Sequence, residues 1–240
     1  MKQFSTIGLI GRLDNDSARR SVLTIIHFLQ SRQLNLVIDR LTANGLGGSL
    51  QEDKQTRIAD IEVIGQSCDL AIVVGGDGSL LSGARDLTGY GVPLLGVNRG
   101  RLGFLTDILP EDIESKIGEV LNGQYVAEER FLLDMKVLRN GQVIATGDAL
   151  NDVVLHPGEF IRMLEFELYI DDLFVTSQRS DGMIISTPTG STAYALSGGG
   201  PIMHPKLDAI VLVPMNPHTL SSRPIVVAAS SDIKIIVGDN

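Results

Sequence analysis

A single cysteine, Cys68, leaves this 240-residue chain without an internal disulfide. Long apolar runs are missing as well: none approaches the roughly 18 residues of a membrane-spanning helix, and stretches such as Ala209 to Met215 are the longest. Basic runs stop at Arg19-Arg20, and 20 Lys+Arg against 29 Asp+Glu leave a net charge of −9. That balance argues against a generic nucleic-acid surface and against docking on an acidic membrane. It leaves room for a phosphate held by backbone N–H groups, which needs few cations. The opening Met1-Lys2-Gln3-Phe4 lacks the charged-then-apolar layout of a signal peptide, so a cytoplasmic protein is expected. The four histidines show no metal-cluster spacing: His27 falls on an apolar helical face, and His156, His204 and His218 each adjoin a proline. Cys68 has no partner motif and is expected to pack at a helix end.

Glycine is abundant: 26 in 240 residues, about 11% where roughly 7% is ordinary. It is clustered rather than periodic, which points to tight turns and close backbone approach. With 43% hydrophobic residues the chain has material for one large core or two modest ones, and its length fits two unequal domains or one with a large excursion without choosing between them. The first hundred residues alternate apolar strands with helix-period segments, the pattern of a parallel sheet with crossover helices. Strands are expected at Thr6 to Ile10, Leu34 to Ile38, Leu70 to Val74 and Val92 to Val97. Ser17 is placed to cap a helix carrying Val22, Ile25, Ile26 and Leu29, and Ile58, Ile61 and Ile64 mark a second. Pro110 opens a third, on which Ile113, Ile117, Val120 and Leu121 share a face before Asn122-Gly123 stops it.

After Phe131 the period changes to two. Met163 to Ile170 alternates so that Leu164, Phe166, Leu168 and Ile170 share a buried face, while Asn140-Gly141 and Asp171-Asp172 read as hairpin turns. The predicted class is therefore α/β: an open, Rossmann-like α/β domain over residues 1–125, then an all-β, sandwich-like domain over 126–240. The strand-like Ile233 to Val237 runs into turn residues and then the chain ends. An unpaired edge there would invite aggregation, so a further C-terminal segment is expected.

Four segments carry chemistry. In the first, the apolar run Leu70 to Val74 enters Gly75-Gly76-Asp77-Gly78-Ser79. Three glycines strip the Cβ atoms from around one carboxylate, so a phosphate chain can lie on bare backbone while Asp77 faces the reacting centre. The plainer alternative makes Asp77 a helix cap. The spacing fits neither a Walker loop nor a dinucleotide fingerprint after the first strand. The second segment, Val97 to Asp107, places Arg99 and Arg101 in a glycine-broken loop where they could meet phosphate. The third sets Asn151-Asp152 at the head of an apolar strand. The fourth runs from Gln178-Arg179-Ser180-Asp181-Gly182 through Thr187-Pro188-Thr189-Gly190-Ser191-Thr192-Ala193-Tyr194 to Pro201. Its small hydroxyl residues at a helix start suit an anion, and Tyr194 offers a flat face to a base.

Glycine-flanked acids of the first kind resemble those of NAD kinases, diacylglycerol and sphingosine kinases, and phosphofructokinases. Together the four segments resemble the bacterial NAD kinases over essentially the whole chain, through Leu212 to Pro224. The resemblance implies an active site in a cleft between the two domains and Mg-ATP-dependent phosphorylation of the adenosine-ribose 2′-hydroxyl of NAD, giving NADP. Asp77 would be the general base, with Gly75, Gly76 and Gly78 on the donor phosphates. Asn151, Asp152, Asp181, Thr192, Ala193, Tyr194, Ala195, Leu196 and Ser197 would contact the dinucleotide, and Arg162 and Arg179 would approach it. It implies Mg²⁺ or another divalent cation with unassigned ligands, a homodimer or homotetramer, and family members that continue past Asn240. Two other readings stay open: a lipid kinase, which an acidic chain without an amphipathic basic helix disfavours, and a regulator that binds NADP(H) without catalysis.

Overall fold

A computed structural model describes residues 4–48, 50–98, 103, 105–106, 108–158, 163–219 and 221–238. The chain forms two compact units, Met1–Ala127 and Glu128–Asn240.

In the first unit the elements follow as β1 (Thr6–Gly11), α1 (Asp16–Ser31), β2 (Asn35–Asp39), α2 (Arg40–Gly45), β3 (Thr56–Ala59), α3 (Ile61–Ser67), β4 (Leu70–Val74), α4 (Asp77–Leu87), β5 (Leu94–Val97) and α5 (Ile113–Leu121). The strands make one parallel sheet in the order β3-β2-β1-β4-β5. Strand order therefore reverses between β1 and β4, the place where open α/β sheets bind ligands at the strands' carboxyl ends. All five residues of β4 are buried, because helices cover both faces and no side of the strand meets water. On one face Ile7, Leu9, Ile72 and Val74 pack with Val22, Ile25 and Leu29 of α1 and Ile113 and Ile117 of α5. On the other, Val37 and Ala71 pack with Ile64 of α3 and Leu87 of α4.

Several local expectations shift. Asn15, not Ser17, caps α1, its side chain accepting from the Ala18 N–H at 2.9 Å. Ile58 lies in β3 and not on the helix with Ile61 and Ile64, since isoleucines three apart fit the end of a strand and the start of a helix equally well. β5 begins at Leu94, after Pro93, which has no N–H to give a ladder. The short α2 lies outside the predicted elements; Asp39 caps it through the Thr42 N–H, and buried Thr42 bonds back to Gly11. His27 is exposed rather than set on an apolar face.

The second unit contains β6 (Leu133–Arg139), β7 (Gln142–Ala149), β8 (Asp152–Leu155), β9 (Leu164–Ile170), β10 (Leu173–Ser180), β11 (Gly182–Ser186), α6 (Tyr194–Ser197), β12 (Ala209–Met215), β13 (Ile225–Ala228) and β14 (Ile233–Val237). They form antiparallel sheets β10-β9-β14 and β13-β12-β11-β8 and the hairpin β6-β7. Asn140 and Gly141 both have positive φ, 52° and 74°, which is the mirror-image turn whose twist matches a two-residue hairpin. Asp171 and Asp172, at 52° and 61°, repeat it between β9 and β10. The alternation of β9 turns Leu164, Phe166 and Leu168 onto Met183 and Ile185 of β11 and Ile210 and Leu212 of β12. The opposite face of the four-stranded sheet, through Ile184, Val211 and Val213, is covered by Ala195 of α6 and Met203. Among the described residues no helix is long and apolar enough to cross a membrane.

Candidate active site

In the first unit the candidate residues gather at the carboxyl end of β4. The Gly75 N–H bonds the Val97 carbonyl at 2.9 Å and so prolongs the ladder by one residue. Gly76 then turns the chain, its carbonyl accepting from the Ser79 and Leu80 N–H groups as α4 begins. The glycines differ in use. A Cβ on Gly75 would run into the Ser79 side chain, whereas around Gly76 and Gly78 a Cβ would meet nothing within 4 Å. Gly75 thus serves packing, and the other two leave bare, open backbone beside the acid.

Asp77 is the first residue of α4 and half-buried. It does not act as the helix's side-chain cap: its Oδ1 accepts from the Leu105 N–H at 3.1 Å and from the Thr106 hydroxyl at 3.4 Å. Thr106 in turn accepts from Asn98 Nδ2 at 2.9 Å. Ile108 bridges Val97 of β5 in parallel, with the Asn98 N–H on the Ile108 carbonyl at 2.8 Å. Arg99 and Arg101, expected here as phosphate ligands, lie outside the described residues.

Within the second unit, two motifs that are separate in sequence come together. Asp152 at the head of β8 stands opposite Ser186 of β11. The Thr187 N–H bonds the Asn151 carbonyl at 2.9 Å, and the Thr187 hydroxyl donates to the Leu150 carbonyl while accepting from the Gly190 N–H. A Cβ on Gly190 would collide with the Asn151 carbonyl, so only glycine lets the turn lie against that strand. Ser191 donates to the Pro188 carbonyl and accepts from the Met203 N–H at 3.0 Å. These hydroxyls are therefore occupied in holding the turn. The Thr187 and Ser191 hydroxyls have no proton left for an anion, and α6, at four residues, presents almost no dipole.

Two polar groups take no part in these bonds. Asn151 Oδ1 is buried with no hydrogen-bond partner among the described residues, and a buried acceptor is costly until something donates to it. Burial raises the Asp152 carboxyl above the usual carboxylate range. Thr192 and Ala193 lie in the turn before α6 and Tyr194 is exposed, as are Leu196 and Ser197; Ala195 is fully buried and its side chain is core. Asp181, between β10 and β11, accepts from Asn216 Nδ2 at 2.8 Å. Arg179 on β10 pairs with Glu165 at 3.6 Å, both well exposed, and no hydrogen bond among the described residues ties its side chain to the Asn151 group. Arg162 lies outside the described residues. Sequence reading missed Arg130, whose guanidinium pairs with Glu128 and donates to Thr189 Oγ1 at 3.3 Å, bracing the turn from 59 residues away.

All four histidines are exposed, and no group of three metal-binding side chains occurs among the described residues. Cys68 caps the end of α3, and burial pushes its thiol up to about 11.

A doubly wound sheet that presents a glycine-flanked carboxylate at its switch point, followed by an antiparallel unit with a buried acceptor at Asn151 that has no partner among the described residues, defines a class of two-unit, ligand-binding α/β protein. Residues 7–125 match the family model for the ATP-NAD kinase N-terminal domain, and residues 150–240 match that for the C-terminal domain. The β6–β7 hairpin falls wholly between the two matched stretches. The NAD kinase of Cellvibrio japonicus is 65% identical over 240 residues, all of this chain and 80% of that protein. That of Teredinibacter turnerae is 60% identical with the same coverage. The crystal structure of yeast NADH kinase complexed with NADH superposes with a TM-score of 0.90 at 27% identity, over 99% of this chain and 73% of that one. An NAD kinase from Archaeoglobus fulgidus in complex with ATP gives 0.73 at 25% identity, over 97% and 80%. The chain belongs to the ATP-NAD kinase family.

Proposed function

We propose that this chain transfers the γ-phosphoryl group of ATP to the adenosine-ribose 2′-hydroxyl of NAD, giving NADP and ADP, with Asp77 as the general base. The observation that carries the reading is the half-buried Asp77 carboxylate, held from the loop after β5 and set between two backbone positions whose Cβ space is open. Phosphoryl transfer asks little covalent chemistry of a protein: in-line placement, charge neutralisation and removal of one proton. Asp77 accepts the 2′-hydroxyl proton as the ribose oxygen bonds to the γ-phosphorus and the bond to the β–γ bridging oxygen breaks. The bare backbone at Gly76 and Gly78 lets the donor phosphates approach where a side chain would block them. No three metal-binding side chains come together among the described residues, so a Mg²⁺ ion would be carried on the ATP phosphates with its own waters, where it would supply charge neutralisation.

The second unit holds the dinucleotide. Asn151 Oδ1 and Asp152 accept from its donors, and Asp181, Arg162, Arg179 and the stretch Thr192, Ala193, Tyr194, Ala195, Leu196 and Ser197 complete its contacts. In support, the Asn151 oxygen, without a partner among the described residues, and the raised Asp152 carboxyl would both be relieved by a donor from the ligand. The same reading makes the protein a cytoplasmic homodimer or homotetramer. Exposed Leu138, Val143 and Ile144 on the β6–β7 hairpin support a partner surface there.

The test is NADP formation from ATP, NAD and Mg²⁺, read through a strictly NADP-dependent dehydrogenase. Asp77→Asn keeps the shape and removes the base, so the rate should fall by about 10² to 10⁴. Turnover within about tenfold of the parent would refute the assigned role.

A further inference from the structure

We propose that Asn98 and Thr106 are positioning residues that grip the Asp77 carboxylate for its work as base, an inference that rests on the reading just given. Both side chains are polar and buried, Asn98 at 3% exposure and Thr106 at 0%. Burial of an amide and a hydroxyl is unfavourable unless each is hydrogen-bonded. Their bonds form a directed series. Asn98 Nδ2 donates to Thr106 Oγ1 at 2.9 Å, so the single hydroxyl proton of Thr106 is turned away from Asn98 and towards Asp77 Oδ1, 3.4 Å distant. The neighbouring Leu105 N–H reaches the same oxygen at 3.1 Å. Two donors thus converge on one carboxylate oxygen and fix the plane of the group.

The grip is anchored rather than floating. Asn98 directly follows β5 with its backbone tied to Ile108. Thr106 lies on the same strand so closely that a Cβ at Gly96 would stand 2.9 Å from its methyl and 3.2 Å from the Leu105 carbonyl. Gly103 completes the arrangement, because a Cβ there would enter the space of the Asp77 carboxylate and crowd Thr106 Oγ1. The base is therefore oriented by the loop after the next strand, across 28 and 29 residues of sequence, and not by its own helix. The long hydroxyl contact is the kind that tightens when a charged substrate closes the site.

The experiment compares Thr106→Val, which keeps the shape without the hydroxyl, with Thr106→Ser, which keeps the hydroxyl, and with Asp77→Asn. Loss of the grip should lower kcat of the valine variant about 10- to 100-fold, the scale of a misplaced catalytic group. KM for NAD and ATP should stay within about threefold, and the serine variant should recover most of kcat. A valine variant whose kcat stays within about threefold of the parent overturns the proposal, as does a serine variant as slow as the valine one, or a loss that falls on KM instead. Thr106→Ala carries the same test should the valine variant not fold. Should Asp77→Asn itself stay active, the base reading falls; should it be inactive while Thr106→Val is normal, only the positioning role falls.

Discussion

Gly78→Ala separates what the glycine cluster does for folding from what it does for a ligand. In the folded chain a Cβ at Gly78 meets nothing within 4 Å, and the residue is the second of α4. Alanine is a better helix former than glycine by about 0.5–1 kcal/mol, and for a chain of this size each kcal/mol moves Tm by about 2–4 °C. The variant should therefore melt about 1 to 4 °C above the parent. Its methyl fills the space proposed for the donor phosphate. Losing one hydrogen bond to a charged group costs about 1.5–3 kcal/mol, which corresponds to about 10- to 150-fold in kcat/KM for ATP. Gly75→Ala is the opposite control, because its Cβ collides with the Ser79 side chain. Overpacking of about 1–3 kcal/mol there should lower Tm. Calorimetry and the coupled NADP assay read both quantities. A Gly78→Ala enzyme with kcat/KM for ATP within about threefold of the parent would refute the phosphate cradle. A large fall in its Tm would refute the claim that the space is empty.

Two further outcomes follow from the titrating groups. Burial raises the Asp152 carboxyl, so the native state keeps that proton to higher pH than the unfolded chain does, and stability falls as pH rises through the raised value. Asp152→Asn should melt above the parent at pH 7, with the gap closing below about pH 4, while its NAD binding weakens; an unchanged gap between thermal scans at the two pH values would refute the account. With its thiol pushed up to about 11 by burial, Cys68 should react with iodoacetamide far more slowly at pH 7.5 than the same cysteine in the urea-unfolded chain. Equal rates in the two states would overturn that.

Local periodicity made much of the architecture legible. The unbroken apolar run of β4 and the strict alternation of β9 each have one physical solution, a strand buried on both faces and a strand buried on one. Asn140-Gly141 and Asp171-Asp172 were legible for a related reason, since few residue pairs tolerate positive φ at both positions. What escaped was decided by contacts outside the local window. Ile58 belongs to a strand because β2 is there to pair with it. The six residues of α2 are too few to form a stable helix alone and are held by Thr42 against Gly11. Asn15 and Ser17 are both competent caps, and the choice falls on the one three residues before the buried Ala18, where α1 meets the sheet.

The same division runs through the site. Glycines announce themselves because their use is an absence: a missing Cβ at Gly76 or Gly78 is a property of the residue, readable without its surroundings. Donors and acceptors do not, because a hydroxyl has no direction until its neighbours are in place. Thr187 and Ser191 have the composition of an anion site, yet their hydroxyls face Leu150, Pro188 and Met203 and hold the turn together. Asn98 and Thr106 sit in a segment whose arginines drew attention, and their own alignment on Asp77 exists only once β4 and β5 lie side by side. For a reaction that needs placement more than covalent chemistry, the conspicuous residues make room for substrate. The residues that aim the base are ordinary in type and are distinguished by burial, which is why their function is read from geometry and tested by removing one hydroxyl.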